Sequence, residues 1–197
     1  MSKLKAGLLG VWFALLGFSP SVMADTKSDL SGVYALYKKG AYAQAIDVLS
    51  KIKVDAKTRP VVENWLGLCQ SRMQAFDKAI VHFERSLQLG YRAEDLEYEL
   101  GQALYASNQL KPARDRFNQA AAKGFKKAAS LYYVGFITQV LEDYPEALQT
   151  YEKIQSLKED PEKVKQAALL QSAEIWFSIT NALKDEKEKK NRIKSKV

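Results

Sequence analysis

Four alanines impose a rule that few folds can obey. Ala45, Ala79, Ala113 and Ala147 follow one another at a constant step of 34 residues, with no insertion between them. Three residues before each stands a large apolar side chain: Tyr42, Phe76, Leu110 and Tyr144. Four residues after each stands another: Leu49, Phe83, Phe117 and Tyr151. Upstream, Leu66-Gly67, Leu100-Gly101 and Val134-Gly135 keep the same step, whereas the first copy has Gly32-Val33. A fixed period of this length means one supersecondary unit copied in tandem, each copy burying its apolar face against the next.

Each copy reads as two helices, with Gly in the first and Ala in the second where the neighbouring helix must come close. Gly40 and Asn108 fall at the short turns between helices, where left-handed backbone is tolerated. Pro112 and Pro145 fall in the first turn of their second helices, where a missing N–H costs nothing. Second helices stop at Gly90 and Gly124, each followed by an aromatic ring (Tyr91, Phe125), as a helix C-cap with a hydrophobic contact requires.

This pattern resembles the tetratricopeptide-repeat family, over four units of about 26–59, 60–93, 94–127 and 128–161. Gly32-Val33 and Ser86 depart from the family's pattern. The resemblance implies an all-α, right-handed α-solenoid whose first helices line a concave groove for a protein or peptide partner. Beyond it, Asp160-Pro161-Glu162 is a helix start, and Leu169, Ala173, Trp176, Ile179 and Leu183 form one apolar stripe at helical spacing. That stripe predicts a capping helix over 162–186 with Trp176 inside the cap, followed by a basic, disordered tail over 187–197.

The first 24 residues stand apart from the repeats. Lys3 and Lys5 precede a thirteen-residue uncharged run from Ala6 to Phe18, then Ser19-Pro20-Ser21 and Val22-Met23-Ala24. That order is a signal peptide's, with cleavage expected after Ala24 and the mature chain beginning at Asp25. The apolar run reaches only about 20 Å, short of a bilayer core, and the expected address is the periplasm or the medium. No Asn lies in an Asn-x-Ser/Thr site, which leans towards a bacterial periplasm. Cys69 is the sole cysteine, so an internal disulfide is impossible and the thiol reads as buried.

Removing Lys3 and Lys5 lowers the net charge from +7 to +5, of which +4 sits on residues 184–197. A nucleic-acid binder carries its charge on a folded face, so nucleic acid is not expected as a partner. The tail reads first as solvated and second as a weak contact to an anionic surface. His82 is the only histidine and reads as a surface residue, which leaves no His-based metal site or acid/base pair. Glu94, Asp95, Glu97 and Glu99 are explained by the positive end of a helix. Neither enzymatic activity, a cofactor nor a metal is expected.

A second apolar stripe runs along the first helices. Tyr34 and Tyr37, Tyr98, Gln102 and Tyr105, and Tyr132, Phe136 and Gln139 repeat at helical spacing, with Trp65, Leu68 and Tyr133 beside them. By the family resemblance these positions face the groove. Their rings read either as a surface that grips an apolar or extended peptide or as packing between successive first helices. The leading expectation is an adaptor or scaffold in envelope assembly, secretion or polysaccharide export. The alternative is a self-associating structural component that uses the convex face or the basic tail.

Overall fold

The computed structural model describes residues 30–158 and 162–194, with side chains described through residue 188. The expected signal peptide lies outside the described residues. All regular structure among the described residues is helical: α1 (30–38), α2 (Tyr42–Lys51), α3 (Arg59–Arg72), α4 (Phe76–Gln88), α5 (Leu96–Ala106), α6 (Leu110–Ala122), α7 (Lys127–Val140), α8 (Tyr144–Gln155) and α9 (Glu162–Lys194). The chain divides into two compact units, one ending at Tyr91 and the other beginning at Arg92. In each, consecutive helices pack as antiparallel hairpins.

The 34-residue step survives at atomic detail. Ala45, Ala79, Ala113 and Ala147 are fully buried, and Tyr42, Phe76, Leu110 and Tyr144 open their helices. The turns between the two helices of each repeat place Gly40, Gln74, Asn108 and Glu142 at φ of 76°, 61°, 57° and 64°. After each, the N–H of Ala41, Ala75, Gln109 or Asp143 donates to the carbonyl five residues back, on Leu36, Gln70, Leu104 or Thr138. This backbone cap closes the same way in every repeat, so Gln74 and Glu142 accept a left-handed conformation that costs them about 1 kcal/mol or more relative to glycine. Gly90 and Gly124, at φ of 90° and 81°, end α4 and α6 as the sequence predicts.

The glycines of the first helices face the aromatic rings of the second. A Cβ on Gly67 would lie 2.6 Å from Phe83, one on Gly101 3.0 Å from Phe117, and one on Gly135 2.6 Å from Tyr151. The departure at Gly32-Val33 thereby acquires a reason. Val33, one period before Gly67, is fully buried in the same cluster as Leu49, one period before Phe83. Thus the first repeat fills with Val and Leu the space that the others fill with Gly and an aromatic. The other departure, Ser86, is also buried, and its hydroxyl donates to the Pro60 carbonyl at 2.7 Å.

Helix α9 departs from expectation twice. It continues eight residues past Glu186, to Lys194, so the segment expected as disordered from Lys187 is helical through Lys194. No Gly or Pro interrupts its 33 residues, and its Lys, Glu, Ala and Leu content favours helix throughout. Its buried face is also not the expected one. Ala168 and Ile175 are buried against α8 and α7, with Val164 and Ile179 packed beside them. Of the expected stripe only Ile179 belongs to that face; Leu169, Trp176 and Leu183 point outward, Trp176 at 58 % exposure. Trp176 is therefore not part of the cap's buried surface.

Candidate functional site

The aromatic positions of the first helices separate into rings that pack and rings that present a surface. In the first unit, Tyr34 and Tyr37 meet Trp65 edge-on at 6.2 and 5.6 Å between ring centres, and the Arg72 guanidinium lies 5.7 Å from the Tyr37 ring. Tyr34 is 53 % exposed, while Leu68 on the neighbouring helix is only 8 % exposed. Leu68 is a packing residue and leaves the proposed surface.

In the second unit Tyr98 leaves it too. Its ring is 6 % exposed and sits among Phe117, Phe125 and Tyr133 at 5.6, 5.8 and 6.1 Å. The Lys126 ammonium caps it at 4.5 Å, and burial pushes the phenol up to about 12. Tyr133 stacks flat on Phe117 at 4.4 Å and joins α6 to α7. What remains half-exposed is Gln102, Tyr105, Tyr132, Phe136 and Gln139. Tyr105 and Tyr132 both approach Phe136, at 6.4 and 6.3 Å, and Gln139 is held by the Tyr151 hydroxyl, which donates to its Oε1 at 2.9 Å.

Of these, Phe136 and Gln139 line a groove of about 580 Å³ in the second unit. Phe136, Gln139 and Val140 of α7 form one wall, and Glu174, Phe177 and Ser178 of α9 form the other. Val140 and Phe177 are exposed large apolar side chains, at 49 % and 69 %. Apolar walls with a few polar groups between them suit an apolar side chain followed by a hydrogen-bonding backbone. Sequence periodicity pointed to Phe136 and Gln139 but missed Val140, Glu174 and Phe177. The last two lie outside the repeats, and their relation to α7 is set by how α9 docks.

No family model and no curated protein matches the sequence. Solved structures do. YrrB, described as a tetratricopeptide-repeat protein with an unusual peptide-binding site, superposes with a TM-score of 0.61 at 18 % identity, over 81 % of this chain and 90 % of that one. PilF of Pseudomonas aeruginosa gives 0.58 at 24 % identity, over 72 % and 64 %. A tetratricopeptide repeat protein from Parabacteroides merdae gives 0.63 at 16 % identity, over 80 % and 66 %. The chain has the tetratricopeptide-repeat fold. At these identities the likeness carries the architecture and leaves ligands to be argued from the residues.

Within the tetratricopeptide repeats, the polar groups singled out by sequence serve to dock helices. His82 is half-buried and not a free surface residue: its Nδ1 lies 2.8 Å from Oε2 of Glu63, a carboxylate that is itself buried. One period on, Glu97 meets Arg116 at 3.2 Å and Lys123 at 3.0 Å. Glu97 and Glu99 are buried, so the acidic cluster is more than a helix-end effect; burial also raises the Asp95 carboxyl above its usual range. Among the described residues no group of three or more His, Cys, Asp or Glu side chains could hold a metal, and no helix is long and apolar enough to cross a membrane.

Cys69 is fully buried in the second tetratricopeptide repeat, and burial pushes its thiol up to about 11 from 9.0. Two pKa units leave about 100-fold less thiolate at pH 8, and thiolate is the reactive form. Iodoacetamide is therefore expected to label the folded chain at least about 100-fold more slowly than the urea-unfolded chain, followed by intact mass. Labelling at comparable rates would show that this repeat opens readily.

Proposed function

We propose that this chain is a protein–protein interaction scaffold that holds an apolar or aromatic segment of a partner in the groove between α7 and α9. The supporting observation is the pair of facing apolar walls, Phe136 and Val140 against Phe177, with Gln139, Glu174 and Ser178 available to a partner's backbone. Exposed large apolar groups collected on one concave surface are unfavourable in water and characteristic of binding sites.

The workplace we infer is the bacterial periplasm, in envelope assembly, secretion or polysaccharide export. This rests on residues 1–24 being a signal peptide. Intact mass of the chain purified from an exporting host should begin at Asp25, and a retained Met1 would remove the periplasmic reading.

The binding proposal is tested by panning a displayed peptide library on the immobilised chain. Peptides with one or two large apolar residues should enrich, with dissociation constants on the order of micromolar. Phe136→Ser with Val140→Glu should weaken them at least about 30-fold while circular dichroism stays unchanged. Peptides that bind the variant equally well would place the partner elsewhere.

A further inference from the structure

The outer face of α9 carries Leu169, Leu170, Trp176, Phe177 and Leu183, all more than half exposed. Leu169, Ala173, Trp176, Thr180 and Leu183 follow steps of four, three, four and three residues, the heptad spacing of a helix that packs lengthwise against another helix. A second face of α9 is already spent on α7 and α8. A stripe of this kind, about 21 Å long, matches the length and pitch of one partner helix.

We propose that this stripe is a homodimer interface, in which the α9 helices of two copies pair antiparallel about a two-fold axis. Self-complementarity of size and charge singles out a second copy as the occupant. The register that sets Ala173 opposite Trp176 of the second copy also sets Leu169 opposite Thr180 and Gln166 opposite Leu183. Each layer then matches a large apolar side chain with a smaller or flexible one. The same register brings Glu162, at the start of α9, opposite Lys187 near its end, once at each end of the interface. Both of these side chains are exposed. A parallel pair would instead set Trp176 on Trp176, Glu162 on Glu162 and Lys187 on Lys187. A two-fold axis makes every one of these contacts count twice.

The test is light scattering of the full chain, purified from a bacterial exporting host, from about 1 to about 200 µM, a range that brackets micromolar association. A monomer–dimer equilibrium is expected. Trp176→Glu should raise its dissociation constant at least about 30-fold, with an unchanged circular dichroism spectrum because the residue is exposed. Glu162→Lys should weaken the dimer about fivefold, and adding Lys187→Glu should restore it. A chain that stays monomeric throughout overturns the proposal and leaves the stripe to another protein. A dimer indifferent to Trp176→Glu overturns it as well, by placing the contact elsewhere. A Glu162→Lys loss that Lys187→Glu does not repair overturns the antiparallel register. Groove binding is read separately through Phe136 and Val140, which lie on α7, so either proposal can fail alone.

Discussion

Gly67→Val is expected to destabilise the chain by about 3 kcal/mol, while the same substitution accompanied by Phe83→Leu is expected to recover much of that loss. A Cβ at position 67 would lie 2.6 Å from two carbons of the Phe83 ring, and a valine adds two methyl groups to that clash. Phe83 is fully buried, so its ring has no room to swing aside. Phe83→Leu alone leaves a small cavity and costs about 1–2 kcal/mol. Together the two substitutions rebuild in the second repeat the pair that the first repeat already holds, buried Val33 and Leu49. The coupling between them should therefore exceed about 1 kcal/mol in the stabilising direction. Thermal denaturation reads this as a fall of roughly 6–12 °C for the single variant and a partial return for the double. Equal losses in the single and the double would mean that the close approach of α3 to α4 is not what selects glycine.

Why the repeat was legible and its surface was not follows from where each signal is stored. The buried alanines, the glycine–aromatic pairs and the turns are local: each is fixed by residues within one period, and three or four copies state the same rule. Even the turns without Gly or Asn, at Gln74 and Glu142, could be placed by the step alone, because the neighbouring copies place theirs at Gly40 and Asn108. Exposure is not local. Tyr98 and Tyr132 occupy the same register position, yet Tyr98 is buried and Tyr132 half-buried. Part of the difference lies one repeat on: Tyr133, which packs against Tyr98, has Ala167 as its counterpart.

Helix α9 shows the same limit in a sharper form. Two stripes of helical spacing run along it, Val164, Ala168, Ile175 and Ile179 on one side, Leu169, Trp176 and Leu183 on the other. The outward stripe has the larger side chains, so hydrophobicity alone chooses it for the core. The structure chooses the smaller one because α9 must lie close against α7 and α8, where Ala168 fits and Trp176 does not. The larger stripe is left for association, the basis of the dimer proposed above.

Replacing both Arg116 and Lys123 by leucine is expected to cost more than replacing those two residues and Glu97 together. Glu97 is 4 % exposed, and its oxygens meet the Arg116 guanidinium at 3.2 Å and the Lys123 ammonium at 3.0 Å. The Gln119 amide, turned so that its nitrogen faces the carboxylate, donates to both oxygens at 3.0 and 3.1 Å. With both cations gone, the carboxylate keeps its desolvation cost and loses most of what offsets it. Such a loss is about 3 kcal/mol for a fully buried pair, reduced here to about 2 kcal/mol because Arg116 and Lys123 remain 30 % and 39 % exposed. Glu97→Leu in addition removes the stranded charge, and the triple variant should regain at least about 1 kcal/mol in urea denaturation. The comparison separates two roles for the cluster. If the triple variant is the more stable of the two, the ion pairs fix how α5 docks on α6 without supplying net stability. If it is the less stable, Glu97 itself contributes to the fold beyond its partners, through the N-terminus of α5 where it stands.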